Sequence, residues 1–416
     1  MEKLSLKELA VPMIKSIDSF NYLLKSHHRR VAVISYSIGK ELGLENHALG
    51  ELVVAASLHD IGALSVQERD MLIQEDVVNP MPHCLMGYHM LKSFSVFKDI
   101  AQIIRYHHVV YEDSLDDKED DIPFASYIVH LADRVDVLIS ADEFILSQKN
   151  RIIHKIHNKV GTTFHPEVYK AFEKVSKADV FWLEINNMTM EQLFKKIDFP
   201  VNFDLTIDNI LEFARAISRI IDFRSRFTAM HSYTVGHLAS LLGSYFDYPK
   251  EDCAKLMVAG YLHDIGKIGI DPGLMEKNGP LTEEEFNLMK LHPYYTGQIL
   301  RELSASDWFK NIVLWAERHH EKVDGHGYPY ALEAKELDTG VKILAYADII
   351  TALMENRPYR EGMPIDEAFE IIDEKLSKSL SIEMFDVIKA HKDEINDVFL
   401  ESQAHSFEEY NLAKEA

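Results

Sequence analysis

The chain is short of most features that would set it apart from an ordinary folded protein. Cys84 and Cys253 are the only cysteines in 416 residues, which excludes a disulfide framework and a CxxC zinc site and gives no reason to infer an oxidising compartment. No apolar run approaches the roughly 20 residues needed to span a bilayer. The charged start, MEKLSLKELAVPMIKSI, has neither the apolar core nor the small-residue cleavage site of a signal peptide. A cytoplasmic protein without membrane insertion is expected. Low-complexity stretches are missing as well, so disorder is expected only in the tail HSFEEYNLAKEA. Positive charge is scarce, with 44 Lys and Arg against 67 Asp and Glu, a net −23. Affinity for a nucleic-acid backbone comes from basic side chains replacing counterions, so neither DNA nor RNA is an expected partner. A small anionic substrate is still compatible, given a local cluster of metal ions and basic side chains.

What is present is apolar residue at helical spacing. In YPKEDCAKLMVAGYLHDIG, Ala254, Met257, Val258, Tyr261 and Leu262 fall on one helical face, with Pro249 near the start and Gly266 near the stop. Candidate strands are too short and scattered to make a sheet, so the expected fold is all-α. At 47% apolar residues the chain is long enough for two cores. The helical pattern breaks at Pro200, which sets the expected domains at 1–199 and 200–416.

A repeat supports two domains. SLHDIGALSV (57–66) and YLHDIGKIGI (261–270) are near copies. Around them, His231, His263-Asp264, His292, His319-His320 and Asp348 recur in the first half, in the same order, as His27, His59-Asp60, His83, His107-His108 and Asp133. The flanks YHHVVYED and RHHEKVDG, and HLADRVDVLI and AYADIITALM, also correspond. One buried histidine is more often a hydrogen-bonded core residue than a ligand. Seven costly polar positions kept in order twice are not what packing selects, so both sets are candidate metal ligands.

Imidazole and carboxylate without thiolate suit iron, manganese or zinc. More than four such donors suggest two ions sharing a carboxylate, and Asp264 is the natural bridge. Paired ions can activate a water and stabilise charge on a phosphoryl oxygen, which points to phosphoester hydrolysis. Lys267, four residues after His263, would face the same side of a helix. There it would contact the phosphate or donate a proton to the leaving oxygen.

HDIGKIGI, HHEKVDGHGYP and RPYR, over roughly residues 207–400, resemble the HD-GYP domain, a bacterial branch of the HD phosphohydrolases that hydrolyses cyclic dinucleotides, above all cyclic di-GMP. The resemblance implies that His231, His263, Asp264, His292, His319, His320 and Asp348 bind two divalent ions, iron or manganese by preference. It implies that Lys267, acting with Asp264, contacts the scissile phosphate. Asp324, Gly325, Gly327, Tyr328 and Pro329 would form a substrate-side loop, and Arg357 and Arg360 would meet phosphate or guanine edges. Family members with three metals carry a carboxylate four residues before the first histidine. Here that position is Phe227, so a dinuclear centre is expected, with linear pGpG favoured over GMP as product. Cyclic di-GMP is the default substrate, with 3′,3′-cGAMP its competitor and a non-hydrolysing receptor a further alternative.

The first half resembles the same family with losses. It keeps GTTFHPEVYKAF (161–172) and all seven ligand types, but has Ala63 at the lysine position, and acidic VVYEDSLDDKEDD after the paired histidines. Such a surface repels a dinucleotide. A regulatory or dimerising role, compatible with a homodimer, is expected of it, with metal at His27, His59, Asp60, His83, His107, His108 and Asp133.

Overall fold

The computed structural model describes residues 3–18, 22–63, 81–115, 121–199, 203–204, 206–222, 230–275, 277–356, 360–376 and 379–415. Pro200, Phe227 and Arg357 lie outside the described residues. The chain divides into two compact units, Lys3–Asp204 and Leu205–Ala416. Among the described residues the regular elements are helices in both units, apart from two isolated bridges and one antiparallel pair of two-residue strands. In that pair Lys3–Leu4 meets Phe203–Asp204 and ties together the two ends of the first unit.

The first unit packs the helix Tyr22–Glu41 against Asn46–Leu58 and Phe124–Val137, with Met81–Leu91 and Lys98–Arg105 forming a second layer. The second unit repeats this plan. His231–Tyr245 packs against Lys250–Leu262 and Thr339–Met354, and Leu291–Leu300 packs against Asp307–Arg318. Lys250–Leu262 is apolar on more than one face because it also touches Ile207–Asp222 and Asp307–Arg318. Leu256 and Ala259 are therefore fully buried, together with the expected Val258, Tyr261 and Leu262, whereas Ala254 and Met257 are only half-buried.

This helix ends at Leu262, before Gly266, and a 3₁₀ turn follows over Ile265–Gly269. The glycine is needed for close approach. A Cβ on Gly266 would stand 1.9 Å from the His292 carbonyl oxygen, and one on Gly62 would stand 2.1 Å from that of His83. In both units the backbone of the HDIG turn thus lies directly on the helix that carries the third histidine. The Gly266 N–H donates to Thr296 Oγ1 (3.0 Å), whose hydroxyl donates to the His263 carbonyl (2.8 Å).

Candidate metal centres

Five of the histidines bond carbonyl oxygens that a helix leaves without an intrahelical partner at its last turn. His263, directly after Lys250–Leu262, donates from Nδ1 to the Gly260 carbonyl (2.7 Å). His319, after Asp307–Arg318, does the same to Ala316 (2.7 Å), and His292 to Met289 (2.7 Å). In the first unit His59 uses Ala56 (2.9 Å) and His107 uses Ile104 (2.6 Å). In each case the acceptor lies three residues upstream. These bonds fix the tautomer and leave Nε2 as the atom that could ligate a metal.

The Nε2 atoms converge with carboxylate oxygens in the second unit. His231 lies 3.1 Å from Asp348 Oδ1 and 3.7 Å from Asp264 Oδ2, and His263 lies 3.3 Å from Asp264 Oδ2. His292 approaches the other carboxylate oxygen, Asp264 Oδ1 (3.4 Å), and His319 Nε2 (3.4 Å). Two donors bound at about 2.1 Å to one ion stand roughly 3.0–3.5 Å apart. His231, His263 and Asp264 form one group whose possible ligand atoms lie within 4.8 Å of one another, and His292, His319 and His320 form another. Asp264 thus faces both groups, one oxygen to each. His263 Nε2 and Asp264 Oδ1 are buried and have no hydrogen-bond partner, as expected of atoms whose partner is a cation. The residues therefore fit a metal pair.

Electrostatics agree with ligation. Burial lowers His292 to about 3 and His319 to about 4, and holds His320 well below its ordinary value. All three are neutral at pH 7, the form that binds metal. Burial raises the Asp264 carboxyl, but the charges of His263 and Lys267 outweigh it and hold the group well below the usual carboxylate range.

Lys267 does not continue the helix of His263. From the 3₁₀ turn its Nζ bonds Asp264 Oδ2 at 2.5 Å, with the side chain 19% exposed. Lys267, His292, His320 and Tyr328 line one cavity of about 730 Å³, with Lys277, Pro280 and Met289 among its other walls. That volume lies within the roughly 300–1,000 Å³ of small-molecule sites. Tyr328 lies against His320, ring centroids 4.9 Å apart, and burial raises its phenol, so it remains a donor at neutral pH.

The remaining loop residues shape the chain. Asp324 Oδ1 accepts from the His326 N–H (3.0 Å), and Gly325 has φ +75°. A Cβ on Gly327 would lie 2.4 Å from Glu321 Cα. Pro329 follows Tyr328 through a cis peptide bond. Arg360 donates to the carbonyl of Ala352, in the last turn of the helix Thr339–Met354 (2.6 Å), and is not among the residues lining the cavity.

Sequence reasoning overlooked three carboxylates. Glu355 accepts from His231 Nδ1 (2.9 Å) and, through its other oxygen, from Gln403 (2.9 Å). Asp136 does the same for His27 Nδ1 (2.7 Å). The signal was present, three residues after Asp133 on the same helical face and seven after Asp348, at the C-cap of its helix. Buried Glu321 accepts from the Tyr330 (2.6 Å) and Leu332 (2.9 Å) N–H groups and so clamps the loop. Lys277, also overlooked, bonds Glu285 (2.5 Å) at the cavity wall.

The first unit holds its seven donors in the same arrangement. His27 lies 3.3 Å from His59 and 3.5 Å from Asp133 Oδ1, and His83 lies 3.1 Å from His107. Asp60 again offers Oδ2 to one set, at 3.2 Å from His59, and Oδ1 to the other, at 3.6 Å from His83. Ala63 is fully buried where the other unit has Lys267.

Fold and donors define an all-helical protein with a mixed imidazole–carboxylate centre in each half. HD-domain models match residues 24–138 and 215–379. The chain is 26% identical to the 3′3′-cGAMP-specific phosphodiesterase 1 of Vibrio cholerae, over 92% of this chain and 91% of that one. It is 31% identical to a cyclic di-GMP phosphodiesterase of Thermotoga maritima, over 62% and 67% of the two chains. The crystal structure of a cyclic GMP-AMP specific phosphodiesterase of Vibrio cholerae shares the fold, with TM-score 0.63 at 23% identity, over 94% of this chain and 98% of that one. The chain belongs to the HD-domain family, in tandem form, and its homologues over most of its length are cyclic-dinucleotide phosphodiesterases.

Proposed function

We propose that the C-terminal domain, residues 200–416, hydrolyses a cyclic dinucleotide, 3′,3′-cGAMP in preference to cyclic di-GMP, and that the domain of residues 1–199 regulates it. One observation carries the placement of the reaction: Lys267 and Tyr328 share a cavity with the ligand imidazoles of His292 and His320. Cyclic di-GMP is the first expectation from the motifs. The similarity to a 3′3′-cGAMP-specific enzyme along both domains, rather than along the catalytic half alone, moves the choice to the mixed dinucleotide.

Two divalent ions, iron or manganese, held by His231, His263, Asp264, His292, His319, His320 and Asp348 would supply an activated water and positive charge at the phosphate. The chain's own groups do the rest. The Lys267 ammonium, now on Asp264, is within reach of a phosphate oxygen in the cavity and offsets charge that grows during displacement. Tyr328 donates a hydrogen bond or stacks on a base. Asp324, Gly325, Gly327 and Pro329, fixed by Glu321, set the position of that ring. Arg357 would meet the substrate from the RPYR segment, and the product is the linear dinucleotide.

Turnover of both cyclic dinucleotides by Mn²⁺- and Fe²⁺-loaded chain, without oxygen, tests this reading. The expected result is a higher kcat/KM for 3′,3′-cGAMP with a linear product. Equal or reversed preference contradicts the substrate choice, and tight binding without product makes the chain a receptor.

A further inference from the structure

The two donor sets are not equivalent. Position 28 holds histidine in the first unit, and the corresponding position of the repeat, 232, holds serine. His28 is 1% exposed and stands on the helix Tyr22–Glu41, next to His27. Its Nε2 lies 3.7 Å from Asp60 Oδ2, an oxygen that is also 3.2 Å from His59 Nε2 and 3.6 Å from His27 Nε2. His28, His59 and Asp60 form a compact group of possible ligands in addition to the groups Asp60–His83–His107–His108 and His27–His59–Asp133. Asp60 is 3% exposed, and its Oδ1 has no hydrogen-bond partner. Five interior imidazoles, those of His27, His28, His59, His83 and His107, around one such carboxylate are costly unless a cation compensates.

A second asymmetry concerns Asp133. Its Oδ2 accepts from Arg134 Nε (3.0 Å) and Nη2 (2.7 Å), while Oδ1 faces His27 and His59. The guanidinium thus orients the ligand carboxylate from behind. The other unit has Ile349 at that position. Asp133 is 2% exposed, against 12% for Asp348.

We propose that the N-terminal domain is a resident metal centre, nitrogen-rich and built for retention, in which His28 is a ligand that the C-terminal centre lacks. Its occupant is a first-row dication. The inference goes beyond the proposed hydrolysis and is independent of which dinucleotide is cut.

The test uses the full chain carrying His263→Ala and Asp264→Ala, stripped with chelator and titrated with Zn²⁺, with bound zinc counted by elemental analysis. Zinc should remain on this chain, and adding His28→Ala should weaken its retention about tenfold or more. His28→Gln, which keeps a polar side chain, should behave alike, and metal-free circular dichroism of both variants should match the parent. Unchanged zinc affinity and stoichiometry in either folded variant would overturn the assignment of His28. A parent that holds no zinc would overturn the resident centre itself, and neither result touches the hydrolytic reading, which is judged on turnover.

Discussion

At the scale of single residues, the two units differ in what stands next to equivalent donors. Lys267 bonds a ligand oxygen and lines the cavity, while Ala63 is sealed in the core. Lys267→Ala should therefore lower kcat by roughly 10²–10³-fold with metal content unchanged, read from steady-state turnover and elemental analysis of the same sample. Loss of metal instead would make Lys267 a structural counter-ion. Glu355 acts one bond further out, holding the Nδ1 proton of His231. Glu355→Gln should weaken metal binding by about 10–100-fold, measured by chelator competition. An unchanged affinity would remove its orienting role.

Helices and loops explain why so much of the site could be read in the sequence. The order and type of the donors single out His231, His263, Asp264, His292, His319, His320 and Asp348, which the structure brings together, because each sits at a helix end or on a buried face where a short spacing has one geometric meaning. Glu355 and Asp136 were missed because one carboxylate role is filled from different places, seven residues after Asp348 and just past the helix end in one unit, three residues after Asp133 and within the helix in the other. A residue-by-residue repeat hides such a substitution. Lys267 was assigned to a helical face, yet it reaches Asp264 from a 3₁₀ turn, because the glycine beside it must lie against the next helix. Gly266→Ala should cost about 1–3 kcal/mol or more by overpacking and displace His292, seen as a lower Tm together with metal loss. An unchanged Tm would deny the close approach. In the loop, Glu321 holds two N–H groups. Glu321→Gln should raise KM more than it lowers kcat, because it loosens the ring of Tyr328 without touching a ligand; a pure kcat loss would place Glu321 nearer the chemistry.

For the whole molecule, two helical units each carry a His/Asp cluster that could hold metal, while the lysine and the Gly-Tyr-Pro loop occur in one of them. The all-α class and the tandem organisation follow from periodicity and repeat. The pairing of Lys3–Leu4 with Phe203–Asp204 does not, because a two-residue ladder carries no periodicity to detect. Among the described residues no helix is long and apolar enough to cross a membrane. In this acidic chain a lysine and two imidazoles, Lys267 with His292 and His320, line one cavity. The most direct measurement is turnover of 3′,3′-cGAMP and cyclic di-GMP by the full chain carrying His263→Ala and Asp264→Ala, with its helical circular dichroism intact. The account predicts no linear product from either dinucleotide. Hydrolysis at the unaltered rate would contradict it and move the catalytic centre to the N-terminal domain.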